Sequence, residues 1–108
     1  MDAAGTELAD RIRALLGADG IEERRMFGSR AFLQGGKILV GARKGGVMLL
    51  RVDAEHGAEL VLRPGVSRAR MGGRSMSTNW LDVAPEALAD DAALVVWLDI
   101  AREDLAAD

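Results

Sequence analysis

Glycine placement constrains this chain more than any other feature: thirteen glycines lie scattered between short apolar segments and nowhere form a tract. Glycine weakens the interiors of helices and strands and readily takes backbone angles closed to other residues, so it punctuates elements and turns. The chain is thereby divided into short elements without a linker, low-complexity tract or internal repeat, which predicts one compact domain over residues 1–108. A chain of this size buries roughly 60–70% of its extended surface on folding, enough for a core without covalent staples. Cysteine is absent, so disulfide scaffolds, thiol catalysis and cysteine zinc sites are excluded. The longest apolar run, residues 92–98, is far short of the roughly 18 residues of a membrane-spanning helix. The acidic start of the chain also lacks the basic, then apolar, pattern of a leader. A cytoplasmic protein with no membrane partner is expected.

The period of the apolar residues assigns the elements. Leu8, Ile12, Leu15 and Leu16 share one face of a helix, with Thr6 placed to cap its free N–H groups and Gly17 to end it. Between residues 24 and 52 the period shortens to two: Ile38, Val40 and Ala42 alternate with Leu39, Gly41 and Arg43, as on a pleated strand. Gly35-Gly36 suits a two-residue hairpin turn and Lys44-Gly45-Gly46 the next, giving three or four antiparallel strands. Asp53 stands at an N-cap position, and Ala54, Ala58, Val61 and Leu62 share the face of a short second helix that Arg63-Pro64-Gly65 stops. Residues 66–78, rich in Arg, Gly, Ser and Met, read as a strand followed by a loop, and Trp80, Leu81 and Val83 as a last short strand. Pro85 suits a first helical turn and Asp90 or Asp91 a cap. In the final helix Leu94, Trp97, Leu98, Ala101 and Leu105 form one stripe about 100° wide, as in a helix lying on a sheet. The order helix, strand meander, helix, strands, helix predicts an α+β fold of two layers, with helices on one face of an antiparallel sheet of about five strands.

The formal charge of −3 hides a dipolar chain: residues 11–74 carry 13 basic and 6 acidic side chains, whereas residues 75–108 carry a net −7. Arg63, Arg68, Arg70 and Arg74 stand together without an acid between them, a candidate site for an anion or for nucleic-acid phosphates through bidentate guanidinium contacts. Solvation or pairing within the chain is the commoner role of such a run, and with no tyrosine and few other aromatics there is little for base stacking. His56, the one histidine, has no second histidine or cysteine to share a metal and no nucleophile-elbow serine to serve. An exposed helical histidine is expected there, and no catalytic or metal site. Asp82 with Glu86, and Asp90 with Asp91, sit at turns or helix starts that favour negative charge in any case, which assigns them to capping. The glycine-rich stretches 41–46 and 72–74 lack phosphate-binding patterns and are expected to be hairpin turns. On the last helix Val96 and Ile100, four apart, project roughly opposite the buried stripe and form a candidate interface.

Arg24-Arg25-Met26-Phe27-Gly28-Ser29-Arg30-Ala31-Phe32, Gly36-Lys37-Ile38 with Gly41, and Leu49-Leu50-Arg51-Val52 follow one another in an order that resembles the TfoX/Sxy N-terminal domain family, regulators of bacterial DNA transformation. Arg63-Pro64-Gly65-Val66, Met71, Gly73-Arg74-Ser75-Met76, Trp80-Leu81-Asp82-Val83 and the helix through Trp97 fall in the order of the short members. The resemblance spans residues 8–105, and its most specific part is Met26, Phe27 and Gly28 ahead of a hairpin turned at Gly36, with Phe32 and Trp80 as further structural positions. Met26 and Phe27 would supply apolar mass at the sheet margin, and Gly28 a bend that a β-carbon obstructs. Ser29 replaces a usual second glycine and Ser75 a usual proline. Full-length competence regulators continue into a second, helical domain, for which there is no room after Leu105, so a single-domain member is expected. The resemblance implies a secretion-chaperone-like two-layer domain that serves as a protein-interaction unit, with no catalytic residues and no cofactor.

The residues and the resemblance together lead to a small, non-enzymatic regulatory module that works through a protein partner or as a homodimer, by its final helix or an open strand edge. A nucleic-acid-associated regulator contacting phosphates through its arginine-rich segment is the alternative.

Overall fold

In the computed structural model, which describes residues 1–26 and 28–107, the first helix, α1 (Ala3–Leu16), begins before Thr6. Asp2 is its N-cap in place of Thr6: the Asp2 carboxylate accepts the Gly5 N–H at 2.9 Å, and the Thr6 hydroxyl, inside the first turn, donates to the Asp2 carbonyl. Aspartate is among the strongest N-caps and two alanines follow it, so the helix gains residues that hydrophobic period alone does not mark. Gly17 ends it with φ of 75°.

A four-stranded antiparallel meander follows, β1 (Ile21–Met26), β2 (Ser29–Gln34), β3 (Lys37–Arg43) and β4 (Val47–Arg51). Gly35 and Gly36 both have positive φ, 60° and 80°, the requirement of the two-residue turn between β2 and β3. Helix α2 (Ala54–Leu60) is capped by the Asp53 carboxylate, which accepts the Glu55 and His56 N–H groups. Its buried residues are Gly57 and Leu60, whereas Ala54, Ala58 and Leu62 of the expected face are exposed, Leu62 by 84%. A close backbone approach decides the orientation: a β-carbon on Gly57 would lie 1.7 Å from the Thr78 carbonyl oxygen, so only a glycine can face that segment.

Strands β5 (Val66–Arg68), β6 (Arg70–Met71), β7 (Arg74–Ser75) and β8 (Trp80–Val83) precede the last helix, α3 (Asp91–Ala107). Pro85 opens a short 3-10 turn, Pro85–Leu88, and the Asp90 carboxylate caps α3 by accepting the Ala93 N–H at 2.8 Å. The principal sheet has six antiparallel strands in the order β1-β2-β3-β4-β8-β5, and β6 with β7 forms a separate two-stranded ribbon.

Cross-strand register sets out the inner face in two rows. Phe32, Val40, Leu50 and Leu81 stand side by side across β2, β3, β4 and β8; Ala42, Met48, Val83 and Val66 form the next. Leu8, Ile12 and Leu16 of α1 and Leu94, Trp97, Leu98 and Ala101 of α3 close over these rows in one core cluster, which Leu60 of α2 joins. The three helices thus share one side of the sheet, the two-layer α+β arrangement. Polar ties lock the layers: Arg11 pairs with Asp91 at 3.2 Å, Arg13 bridges Asp10 and Glu23, and Arg102 donates to the Leu16 carbonyl at 2.9 Å.

Strict alternation fails at one place in β3. Phe32 pairs with Val40 but Leu33 pairs with Ile38, so Leu39 is an extra residue, a β-bulge. The bulge puts Leu39 into the core cluster beside Val40 and turns Ile38 to the opposite face, the reverse of a simple period of two. Both sheet edges are poor templates for a further strand. β1 carries Glu22, Glu23, Arg24 and Arg25, and β5 has only three residues.

Candidate binding groove on the outer sheet face

The face of the sheet away from the helices carries the outward members of each strand. Ala31, Gly41 and Leu49 stand in register across β2, β3 and β4 and are buried, although no helix covers them. The cover is the β6–β7 ribbon. After β5 the chain turns at the fully buried Ala69, whose N–H donates to the Trp80 carbonyl and whose carbonyl accepts the Met76 N–H. Arg68 Nε donates to the Met76 carbonyl at 2.7 Å, and Arg43, paired with Asp82 at 2.7 Å, donates to the Arg70 carbonyl at 3.1 Å. These bonds hold the ribbon over the outer face while Gly72 and Gly73, with φ of 56° and 81°, make its turn.

Between ribbon and sheet an apolar groove of about 120 Å³ remains. Ala31, Gly41 and Leu49 are its floor; Met26, Met71, Met76 and Trp80 are among its walls, and Ser29 and Arg43 are its polar members. Three of the chain's five methionines thus meet at one place, and methionine's unbranched side chain adapts to irregular apolar shapes. A more open recess of about 360 Å³ lies beside the start of α1, but polar Thr6, Arg25, Ser29 and Arg30 line it. Water solvates such walls well, so the recess gains little from being filled.

The arginines singled out in the sequence do not converge on one point. Arg63 lies over the Trp97 ring, 5.5 Å from its centroid, against α3. Arg68 is bound to Met76 as described, and Arg70 donates to the Gly73 carbonyl within the ribbon. The Arg74 side chain is exposed and makes no hydrogen bond or ion pair among the described residues. Val96 is 52% exposed on α3, but Ile100 is half-buried and packs against the core, so the apolar outer strip of that helix is Val96 with its neighbour Val95. Of the family-motif positions, Phe32 is in the core, Met26 and Trp80 wall the groove, and Gly28 and Gly36 have φ of 74° and 80°. Phe27 lies outside the described residues.

His56 is not an exposed helical histidine. Its Nδ1 lies 2.9 Å from an Asp104 oxygen, and the same carboxylate accepts the Asp53 N–H at 2.9 Å, so α3 clamps the start of α2. Asp82 pairs with Arg43 and caps no helix, whereas Asp90 is a cap. The glycines of residues 45–46 and 72–73 are turn residues with positive φ, but Gly41 is an interior residue of β3. Burial gave no sequence signal for the groove, because its floor and walls come from Met76, just after β7, and from six strands whose outward residues are dispersed along the chain. The methionines of the segment 66–78 were the available clue.

Comparison with known proteins bears on the fold and the family. A crystal structure of a protein from Pseudomonas syringae superposes on this chain with a TM-score of 0.61 at 14% sequence identity, covering 94% of this chain and 96% of that one. At that identity the likeness speaks for the fold alone. No curated protein matches the sequence. A family model, the TfoX N-terminal domain, matches residues 13–105 and so takes in the meander, the ribbon, the groove and most of α3. This chain belongs to the TfoX N-terminal domain family.

Proposed function

We propose that this chain is a small, non-enzymatic regulatory module of the cytoplasm that acts by binding a partner protein in the groove on its outer sheet face. The observation that carries the reading is the apolar centre of that face. Antiparallel sheets commonly give their second face to water with polar side chains, and here the middle of it is Ala31, Gly41 and Leu49 under a roof of methionines. The one histidine supports the reading, being used with Asp104 to hold α2 on α3. So do Arg63, Arg68 and Arg70, which are engaged within the chain and favour a protein over a nucleic-acid partner.

Selection of displayed random peptides against the immobilised protein and against a Gly41→Val variant tests it. The expected result is a set of clones that bind the native protein and Val96→Glu but not Gly41→Val, whose side chain fills the groove. If selection yields no clone that distinguishes native protein from Gly41→Val, the reading is wrong; clones lost only on Val96→Glu would move the interface to α3.

A further inference from the structure

Gly41 has no conformational reason to be glycine. Its φ is not in the left-handed region, and a β-carbon there would meet the Leu49 Cβ at 3.5 Å and the Arg30 carbonyl oxygen at 3.6 Å, ordinary contacts. A glycine within a central strand weakens it, and one that no turn or close approach demands marks a place where another group comes near the backbone. What the glycine provides is depth at the floor of the groove.

Size and charge identify that group. Drug-sized ligands occupy roughly 300–1,000 Å³, whereas a cavity of roughly 150 Å³ takes a benzene ring, so about 120 Å³ accommodates one apolar side chain. Around it the outward-facing arginines Arg24 and Arg43, with Arg74 of the ribbon, outnumber the carboxylates Glu22 and Asp82. Arg74 is placed to use that excess: it stands opposite Met71 in the ribbon, so the two share a ribbon face, and Met71 lines the groove. A nucleotide could offer Arg74 a phosphate, but its base would leave polar edges unpaired against Met26, Ile38 and Leu49.

Resting on the protein-binding reading above, we infer that the groove takes a single apolar side chain from an acidic protein segment, and that a carboxylate beside that side chain pairs with Arg74. The methionines adjust to the anchor's shape, and the arginine excess selects against basic segments.

The test uses labelled peptides of about twelve residues, in fluorescence anisotropy, with a central leucine flanked by glutamates, the same peptide with asparagine for leucine, and the leucine peptide flanked by lysines. The glutamate–leucine peptide should bind at least about tenfold more tightly than either control, a difference of about 1.4 kcal/mol. Gly41→Val, and the smaller Gly41→Ala in graded fashion, should weaken it while the melting temperature holds or rises. Arg74→Glu, an exposed change, should weaken the glutamate peptide about tenfold and strengthen the lysine peptide. Equal, Gly41-dependent binding of both leucine peptides would overturn the acidic partner and leave the protein-binding reading standing. Leucine peptides that bind neither variant differently, or not at all, would overturn both. A single-stranded oligonucleotide that outcompetes the glutamate peptide and ignores Gly41→Val would overturn the inference in favour of nucleic acid.

Discussion

Two glycines of this chain have opposite physical roles. Gly57 packs its bare Cα against the Thr78 carbonyl, where a β-carbon would come within 1.7 Å, so Gly57→Ala must displace α2 or the segment before β8. A loss of roughly 3 kcal/mol or more in chemical denaturation is expected. Gly41→Ala meets only ordinary contacts and relieves the entropy cost of glycine in a strand, so it should gain roughly 0.5–1 kcal/mol in the same experiment. A stabilised Gly41→Ala beside a destabilised Gly57→Ala would separate the glycine the fold needs from the one the groove uses; equal losses would put Gly41 with the fold. His56 shows the limit of reading residues singly. Its partner Asp104 is 48 positions away, and nothing local to His56 announces it.

At the scale of elements, the departures from simple periodicity have local causes. The bulge at Leu39 gives a direct reversal: Leu39→Ala, in the core, should cost about 2–5 kcal/mol, and Ile38→Ala, on the outer face, distinctly less. Urea midpoints of the two variants decide it, because an unbroken alternation would rank them the other way. The tie between α1 and β1 makes a pH prediction. The Arg13 guanidinium, hydrogen-bonded to Glu23, holds that carboxyl below its ordinary value of 4.5, with Arg30 adding to the effect. A carboxyl that titrates lower folded than unfolded contributes its full stability above its unfolded value and loses it as pH falls through the folded one. Native protein should therefore exceed Glu23→Gln in stability at neutral pH, with the gap closing as urea titrations are taken below about pH 4.5. Asp2 acts in the same direction, because the Gly5 and Gly45 N–H groups stabilise its charged form.

Over the whole molecule, order should fall from the middle of the sheet outward. β3, β4 and β8 are paired on both sides and lie beneath α1 and α3, whereas the ribbon has two residues in each strand. Amide hydrogen exchange should be slowest in the former and fast at Gly72 and Gly73; a ribbon protected like β4 would contradict the adjustable roof that the groove requires. What the sequence determined by itself was local in origin: the α+β class, the stripe of α3, the Asp53 cap, the Gly35-Gly36 turn and the family to which the chain belongs. Each rests on residues a few positions apart, whose spacing carries the period of a helix, a strand or a turn. Tertiary structure alone decided the bulge that sends Leu39 inward, the face of α2, the His56–Asp104 clamp and the fold of the β6–β7 ribbon over Ala31, Gly41 and Leu49. Those depend on how closely distant backbones approach and on which charges meet across the chain, quantities that no local spacing encodes.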